Sequence, residues 1–244
     1  MRLNLAKSGL LLPLALATLL SFSSQVRADN GLPLPAETVA LTQPVGQYRL
    51  FESNYKEPYW RLMNYFETQM NQAYCSVASS VIALNALGVT RPKTSQYPDF
   101  PFFTQAGFFD KVDPKTLNIP EVARTGLTLE QLADVLVTHP VTVERKFAAE
   151  VSLEQFRDSL KEALRSGDRM VLLNFDRKEV KELGGGHWSP IAAYHASSDS
   201  ILVLDVARYK YPPLWLPLNE VYAAARSVDA DSELSRGLLL IGKK

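Results

Sequence analysis

The 244-residue sequence holds one cysteine, Cys75, and three histidines, His139, His187 and His195. A single thiol forms no intramolecular disulfide, and one Cys with three scattered His matches no structural zinc spacing. Neither sign of charge is in excess, with 26 Lys+Arg against 26 Asp+Glu. That balance offers no electrostatic footprint for nucleic acid or for an anionic membrane surface. Long apolar runs are equally scarce. Leu10–Leu20 is one, but it is too short to span a bilayer. Arg2 and Lys7 precede it and Val26-Arg27-Ala28 follows, so residues 1–28 read as a secretory signal peptide. No cysteine follows the run, which argues against lipoprotein attachment. The expectation is an exported, periplasmic chain whose residues 29–244 form one domain of 244 − 28 = 216 residues. In an oxidising compartment an unpaired thiol is a liability, and its retention hints at a task.

Cys75 stands at the front of an apolar stretch. Val77, Ala78, Val81, Ile82, Leu84 and Leu87 recur at helical spacing, and Gly88 is placed to end the helix. The spacing predicts a helix buried along one side with Cys75 in its first turn, where unpaired backbone N–H groups would lower the thiol pKa. Thr68, Gln69, Asn71 and Gln72 form a polar lead-in that offers side-chain amides beside the sulfur. A lone Cys on an apolar helix is ordinarily core. What sets this one apart is a His and an Asp far downstream.

Residues 29–60 are proline-rich and read as an irregular arm, followed by a short helix around 57–66. The aromatic and proline-rich stretch 90–120 reads as a long loop that lines a site or covers the core, with a helical piece at 103–109. Thr128–Val137 and Ser152–Ser166 are amphipathic helices capped by Thr128 and Ser152, the second closed by Gly167. Strands are expected at Val141–Arg145, Arg169–Phe175, Ile191–Tyr194 and Ser200–Val206. Helices followed by antiparallel strands give an α+β fold. Folding 188–206 as a hairpin about Ala196–Ser198 makes residues whose numbers sum to about 392–395 face each other. His187 and Asp205 (187 + 205 = 392) then meet across neighbouring strands. A carboxylate there fixes the imidazole tautomer and leaves the far nitrogen to take a thiol proton. His139, before Pro140, and His195, at the hairpin tip, read as packing or surface residues.

Ala73-Tyr74-Cys75 with Val77-Ala78-Ser79 and Leu84-Asn85-Ala86-Leu87, then Gly186-His187-Trp188-Ser189-Pro190, then Asp205-Val206-Ala207-Arg208-Tyr209-Lys210-Tyr211-Pro212-Pro213-Leu214-Trp215, resemble the signature blocks of the phytochelatin synthase family. The resemblance runs from about residue 35 to the end. It implies a papain-like cysteine proteinase fold, with the helical part carrying Cys75 and the sheet carrying His187 and Asp205. It implies γ-glutamylcysteinyl transfer from glutathione, or hydrolysis of glutathione, in the manner of short bacterial members that lack the Cys-rich C-terminal half. Carried over, Cys75 is the nucleophile, His187 the base and then acid, Asp205 its orienter and Gln69 the oxyanion-hole amide. Arg177 and Arg236 hold the γ-glutamyl group, with Gly186 and Trp188 beside the substrate. Ser76 and Trp188 stand where many members have Gly and Phe. The partners implied are glutathione and its metal–thiolate complexes; no cofactor or protein-bound metal is expected, and a homodimer is left open. The rival readings are a papain-like peptidase or amidase on other peptides, and an inactive protein that binds γ-glutamyl thiols.

Overall fold

The computed structural model describes residues 32–95 and 97–244. The expected signal peptide lies outside them. Seven antiparallel strands form a single sheet in the order β1-β6-β5-β4-β3-β7-β2. In chain order these are β1 (Val39–Ala40), β2 (Val141–Phe147), β3 (Arg169–Asp176), β4 (Gly186–His195), β5 (Ser200–Val203), β6 (Leu214–Pro217) and β7 (Gly237–Lys243). The helices are α1 (Pro44–Glu52), α2 (Glu57–Asn64), α3 (Cys75–Leu87), α4 (Ile119–Thr125), α5 (Leu129–Leu136), α6 (Leu153–Ser166) and α7 (Leu218–Arg226).

The period of two in β3 sorts its side chains between two apolar layers. Met170 and Leu172 pack with α3 and α5, whereas Val171, Leu173 and Phe175 pack with α6 and α7. With helices on both faces the central strands are buried throughout, which is why β3 and β7 read as continuous apolar runs. α3 fits one layer and is buried around its whole circumference. The expected one-sided burial is therefore corrected: small residues (Ser76, Ala78, Ser79, Ala83, Ala86) let α3 be enclosed by the sheet, α2 and the 90–118 segment. Asn85 fastens that segment, its Nδ2 donating to Phe103 O at 2.9 Å and its Oδ1 accepting from Phe103 N.

Thr128 and Ser152 each complete a reciprocal capping box, with Gln131 and Gln155 respectively, and Gly88 and Gly167 adopt the left-handed conformation that ends α3 and α6. The described part of the arm, 32–60, is more ordered than expected: Pro44 and Pro58 fall in the first turns of α1 and α2, where a missing N–H costs nothing. α4 replaces the predicted loop end near 120, and 103–109 makes turns rather than a helix.

Candidate active site

Cys75 is the first residue of α3, and the Tyr74 side chain makes no capping bond. The N–H of Ser76 and that of Trp188 in β4 face the sulfur, so the helix start and the sheet meet there. Burial nevertheless raises the thiol pKa, and these two N–H groups and the Arg177 charge do not cancel it. The expected lowering is overturned: an enclosed thiolate loses more hydration than one helix end returns. The resting sulfur is a thiol.

His187 sits at the start of β4 opposite Phe175 of β3, with its ring edge-on to that phenyl at 5.7 Å. Its Nε2 lies 3.0 Å from Asp205 Oδ1 and 3.1 Å from Ser189 Oγ. Donation from Nε2–H to Asp205 leaves Nδ1 as the acceptor nitrogen. The hairpin arithmetic holds, because β4 and β5 pair as Tyr194↔Ile201 and His195↔Ser200. A bulge between Ile191 and Ala193 then shifts the register by one, to Ile191↔Val203. Asp205 falls just past β5 and bends back, its Oδ1 accepting from Ala207 N at 2.8 Å. Burial pushes the His187 pKa down to about 4, aided by the Arg177 charge and opposed by Asp205. Burial alone would raise the Asp205 pKa, but His187 and Arg177 hold it well below the usual carboxylate range. Thiol, neutral imidazole and carboxylate are thus the resting forms at neutral pH.

Arg177 is corrected. It is 2% exposed, donating from Nη1 to Glu182 and from Nη2 to both Asp205 oxygens at 2.8 and 2.6 Å. A guanidinium so occupied holds no substrate carboxylate; it holds Asp205. Gln69 is also differently placed. Its Nε2 donates to Asn71 O (2.7 Å) and to Tyr209 Oη (3.1 Å), and it does not line the cavity beside the sulfur. Serving an oxyanion requires it to release one of these two acceptors.

Arg236, unlike Arg177, lines the cavity beside the sulfur. The cavity next to Cys75 encloses about 440 Å³, within the range of small-ligand sites. Cys75, Gly186, His187, Trp188, Asn174 and Arg236 line it. Arg236 Nη1 is tied to Asp229 and, at 3.3 Å, to Asn174 Oδ1, while its buried Nε has no partner among the described residues. Gly186 makes this packing possible, since a Cβ there would stand 2.8 Å from Arg236 Nη1. Trp188 contributes backbone more than ring: its indole N–H is spent on Leu127 O at 2.9 Å. His139 and His195 lie outside the cavity and are buried, His139 stacked on Phe108 at 5.1 Å. Ser189 and Glu182 were missed. Ser189 was findable, because residues two apart on a strand share a face. Nothing in the spacing announced Glu182.

A cysteine at the start of a buried helix, lining one cavity with a strand-borne His bonded to an Asp in an α+β fold, defines the papain-like cysteine proteinase class of fold. Residues 30–238 match the family "Phytochelatin synthase", and the chain belongs to it. Glutathione gamma-glutamylcysteinyltransferase 3 of Lotus japonicus is 33% identical over 187 residues, 77% of this chain and 38% of that protein. Enzyme 1 of that name from Arabidopsis thaliana is 31% identical over 77% of this chain and 37% of its own length. The Schizosaccharomyces pombe enzyme is 26% identical over 85% of this chain and 50% of its own. The chain thus spans half or less of these relatives.

Proposed function

We propose that this chain cleaves the Cys–Gly amide of glutathione and passes the γ-glutamylcysteinyl group first to Cys75 and then to water or to the amine of a second glutathione. The observation that carries the reading is that Cys75 and His187, the latter bonded to Asp205, line one cavity together with Arg236. A γ-glutamyl unit presents a free α-carboxylate and ammonium. Arg236, with its unpartnered Nε, suits the carboxylate, and Asp231 on the same cavity wall suits the ammonium. The names of the relatives point to the same substrate.

The chemistry follows from the resting forms. As sulfur attacks the amide carbon, its proton moves to His187 Nδ1, and Asp205 stabilises the imidazolium through Nε2. Cys75 N–H has no partner within the helix, because it belongs to the first turn, and it is the donor at hand for the oxyanion. The C–N bond breaks as His187 returns the proton to the departing glycine nitrogen. Water then loses a proton to His187 and attacks the thioester; the products are γ-glutamylcysteine and the restored thiol. When a second glutathione amine attacks instead, a new peptide bond forms. Metal enters this reading only as a thiolate complex of the substrate, and residues 1–28 as an export signal that places the reaction in the periplasm.

Incubation of the protein with glutathione, with and without cadmium, followed by product analysis and intact mass, tests the reading. Glycine release and an enzyme mass increased by one γ-glutamylcysteinyl group are expected, and neither with Cys75→Ala. Glycine release by Cys75→Ala would overturn it, as would cleavage of α-linked peptides in preference to glutathione.

A further inference from the structure

Three ionisable side chains are packed out of water behind His187. Arg177, Glu182 and Asp205 have side chains only 2–4% exposed. An arginine facing a single carboxylate ordinarily grips it with two parallel N–H···O bonds, one from each of two nitrogens. Arg177 does not. Asp205 receives both of its contacts from Nη2 alone, and Nη1 turns away to Glu182. The consequence lies in Asp205 Oδ1, which also meets His187 Nε2 and Ala207 N.

We propose that Glu182 is a positioning residue: by engaging Nη1 of Arg177 it restricts Arg177 to a one-nitrogen grip on Asp205 and keeps Asp205 Oδ1 available to His187. It rests on the reading of Cys75 and His187 as the reacting pair. The surroundings are built to hold this geometry. Glu182 N donates to Arg177 O (2.9 Å) and Arg177 N to Gly185 O (3.0 Å), so the β3–β4 connection folds Glu182 onto the arginine. The guanidinium lies over Tyr211 at 5.4 Å, and Tyr211 Oη accepts from Leu183 N. Gly184, at φ +138°, leaves the space that the arginine stem uses, since a Cβ would stand 2.8 Å from Arg177 Cδ. The charged groups that reach Glu182 are Arg177, Asp205 and Lys210, and the same three reach His187. Burial lifts the Glu182 pKa to about 7, Arg177 and Lys210 opposing and Asp205 adding to the rise. Without Glu182, Nη1 is free to complete the two-nitrogen fork on Asp205. His187 already shares Oδ1 with Nη2 at 2.8 Å, and the straighter Nη1 bond of the fork would draw more of that oxygen's charge, leaving the imidazolium less well supported.

Cys75 is the only thiol, so its alkylation by iodoacetamide, read by intact mass from pH 6 to 10, reports proton removal by His187 without any substrate. Glu182→Leu is expected to slow alkylation at pH 7 about tenfold, the equivalent of one pK unit at His187. Glu182→Gln keeps an acceptor for Nη1 and should lose about two- to threefold. Both should converge on the parent near pH 10, where hydroxide removes the thiol proton. Glutathione turnover should fall in parallel with KM within about twofold. Glu179→Gln, an exposed carboxylate in the same connection, serves as the control and should change nothing. A residue that merely held the fold would, when lost, loosen the enclosure and speed alkylation at every pH. Faster or unchanged alkylation in Glu182→Leu, or a loss equal at all pH values, overturns the proposal; if that variant does not fold, the isosteric Glu182→Gln result decides in the same way. Because alkylation needs no glutathione, a protein inactive on glutathione can still show the Glu182 effect, and the two readings fail separately.

Discussion

At the scale of the residue, the site depends on which nitrogen and oxygen atoms are already engaged. His187 has its Nε2 committed to Asp205 and Ser189, so its chemistry runs through Nδ1. His187→Ala should lower turnover by on the order of 10³-fold or more, and Asp205→Asn by on the order of 10²-fold, with KM for glutathione moved far less than kcat. Steady-state kinetics of purified variants checks this, and an Asp205→Asn loss exceeding that of His187→Ala would refute the ordering. Gly186→Ala should act the other way. Its Cβ would collide with Arg236 Nη1, displacing the guanidinium proposed to hold the substrate carboxylate. KM for glutathione should rise about tenfold with kcat within a few-fold, as for a contact made equally in ground and transition states. Such atomic commitments explain the uneven legibility of the residues. Cys75, His187 and Asp205 could be singled out because each carries chemistry its neighbours do not, whereas Arg236 and Arg177 came only from the family resemblance. Arg177 was misread, since a guanidinium that serves substrate and one that serves a carboxylate look alike until the acids around it have been placed.

At the scale of the element, what could be read was what local chemistry decides. Thr128 and Ser152, each three residues ahead of a Gln, announce helix starts, and Gly88 and Gly167 announce helix ends. The β4–β5 hairpin could be read because its turn sets the pairing, though the bulge at Ile191/Ala193 could not. β6, α7 and β7 went unread. β7 inserts between β3 and β2, and only that long-range pairing distinguishes its Leu-rich run from a buried helix. The burial of α3 on all sides was hidden for the same reason. Caps, being local, should also be separable from function. Ser152→Ala removes one partner of the α6 capping box and should cost about 1 kcal/mol. Denaturant titration should show that loss while Cys75 alkylation and glycine release stay unchanged; a changed alkylation profile would mean that α6 is coupled to the site through β3.

At the scale of the whole molecule, the buried titratable groups oppose one another as pH changes. The fold holds His139 and His187 neutral, their pKa values pushed down to about 4 first by burial and then, respectively, by the Lys111 and Arg177 charges. For each, the unfolded chain binds the extra proton below the ordinary histidine value of 6.5. Their contribution to stability is therefore complete above about 6.5 and is lost as pH falls toward 4. Glu182 has the opposite sign. Its pKa is raised to about 7 from 4.5, so between those values the folded protein binds the additional proton and stability falls as pH rises. Asp205, held low, adds stability above the ordinary carboxylate value of 3.8 that is lost only in stronger acid. Over pH 4.5–6.5 His139 and His187, joined by His195, whose pKa burial also lowers, outweigh Glu182, so stability should rise from pH 4.5 to 6.5. His139 lies far from this chemistry in the fold, enclosed by Phe103 and Phe108 and absent from the cavity, and its share is of order 3 kcal/mol at most. His139→Phe keeps an aromatic ring in that stack and removes the titration. Its thermal midpoint should lose less than the parent's between pH 7 and pH 4.5, and Cys75 alkylation at pH 7 should stay the same. An undiminished acid loss in the variant would place the sensitivity in the His187 cluster instead, where the carboxylate and guanidinium charges that set up the proposed reaction would also limit the fold in acid.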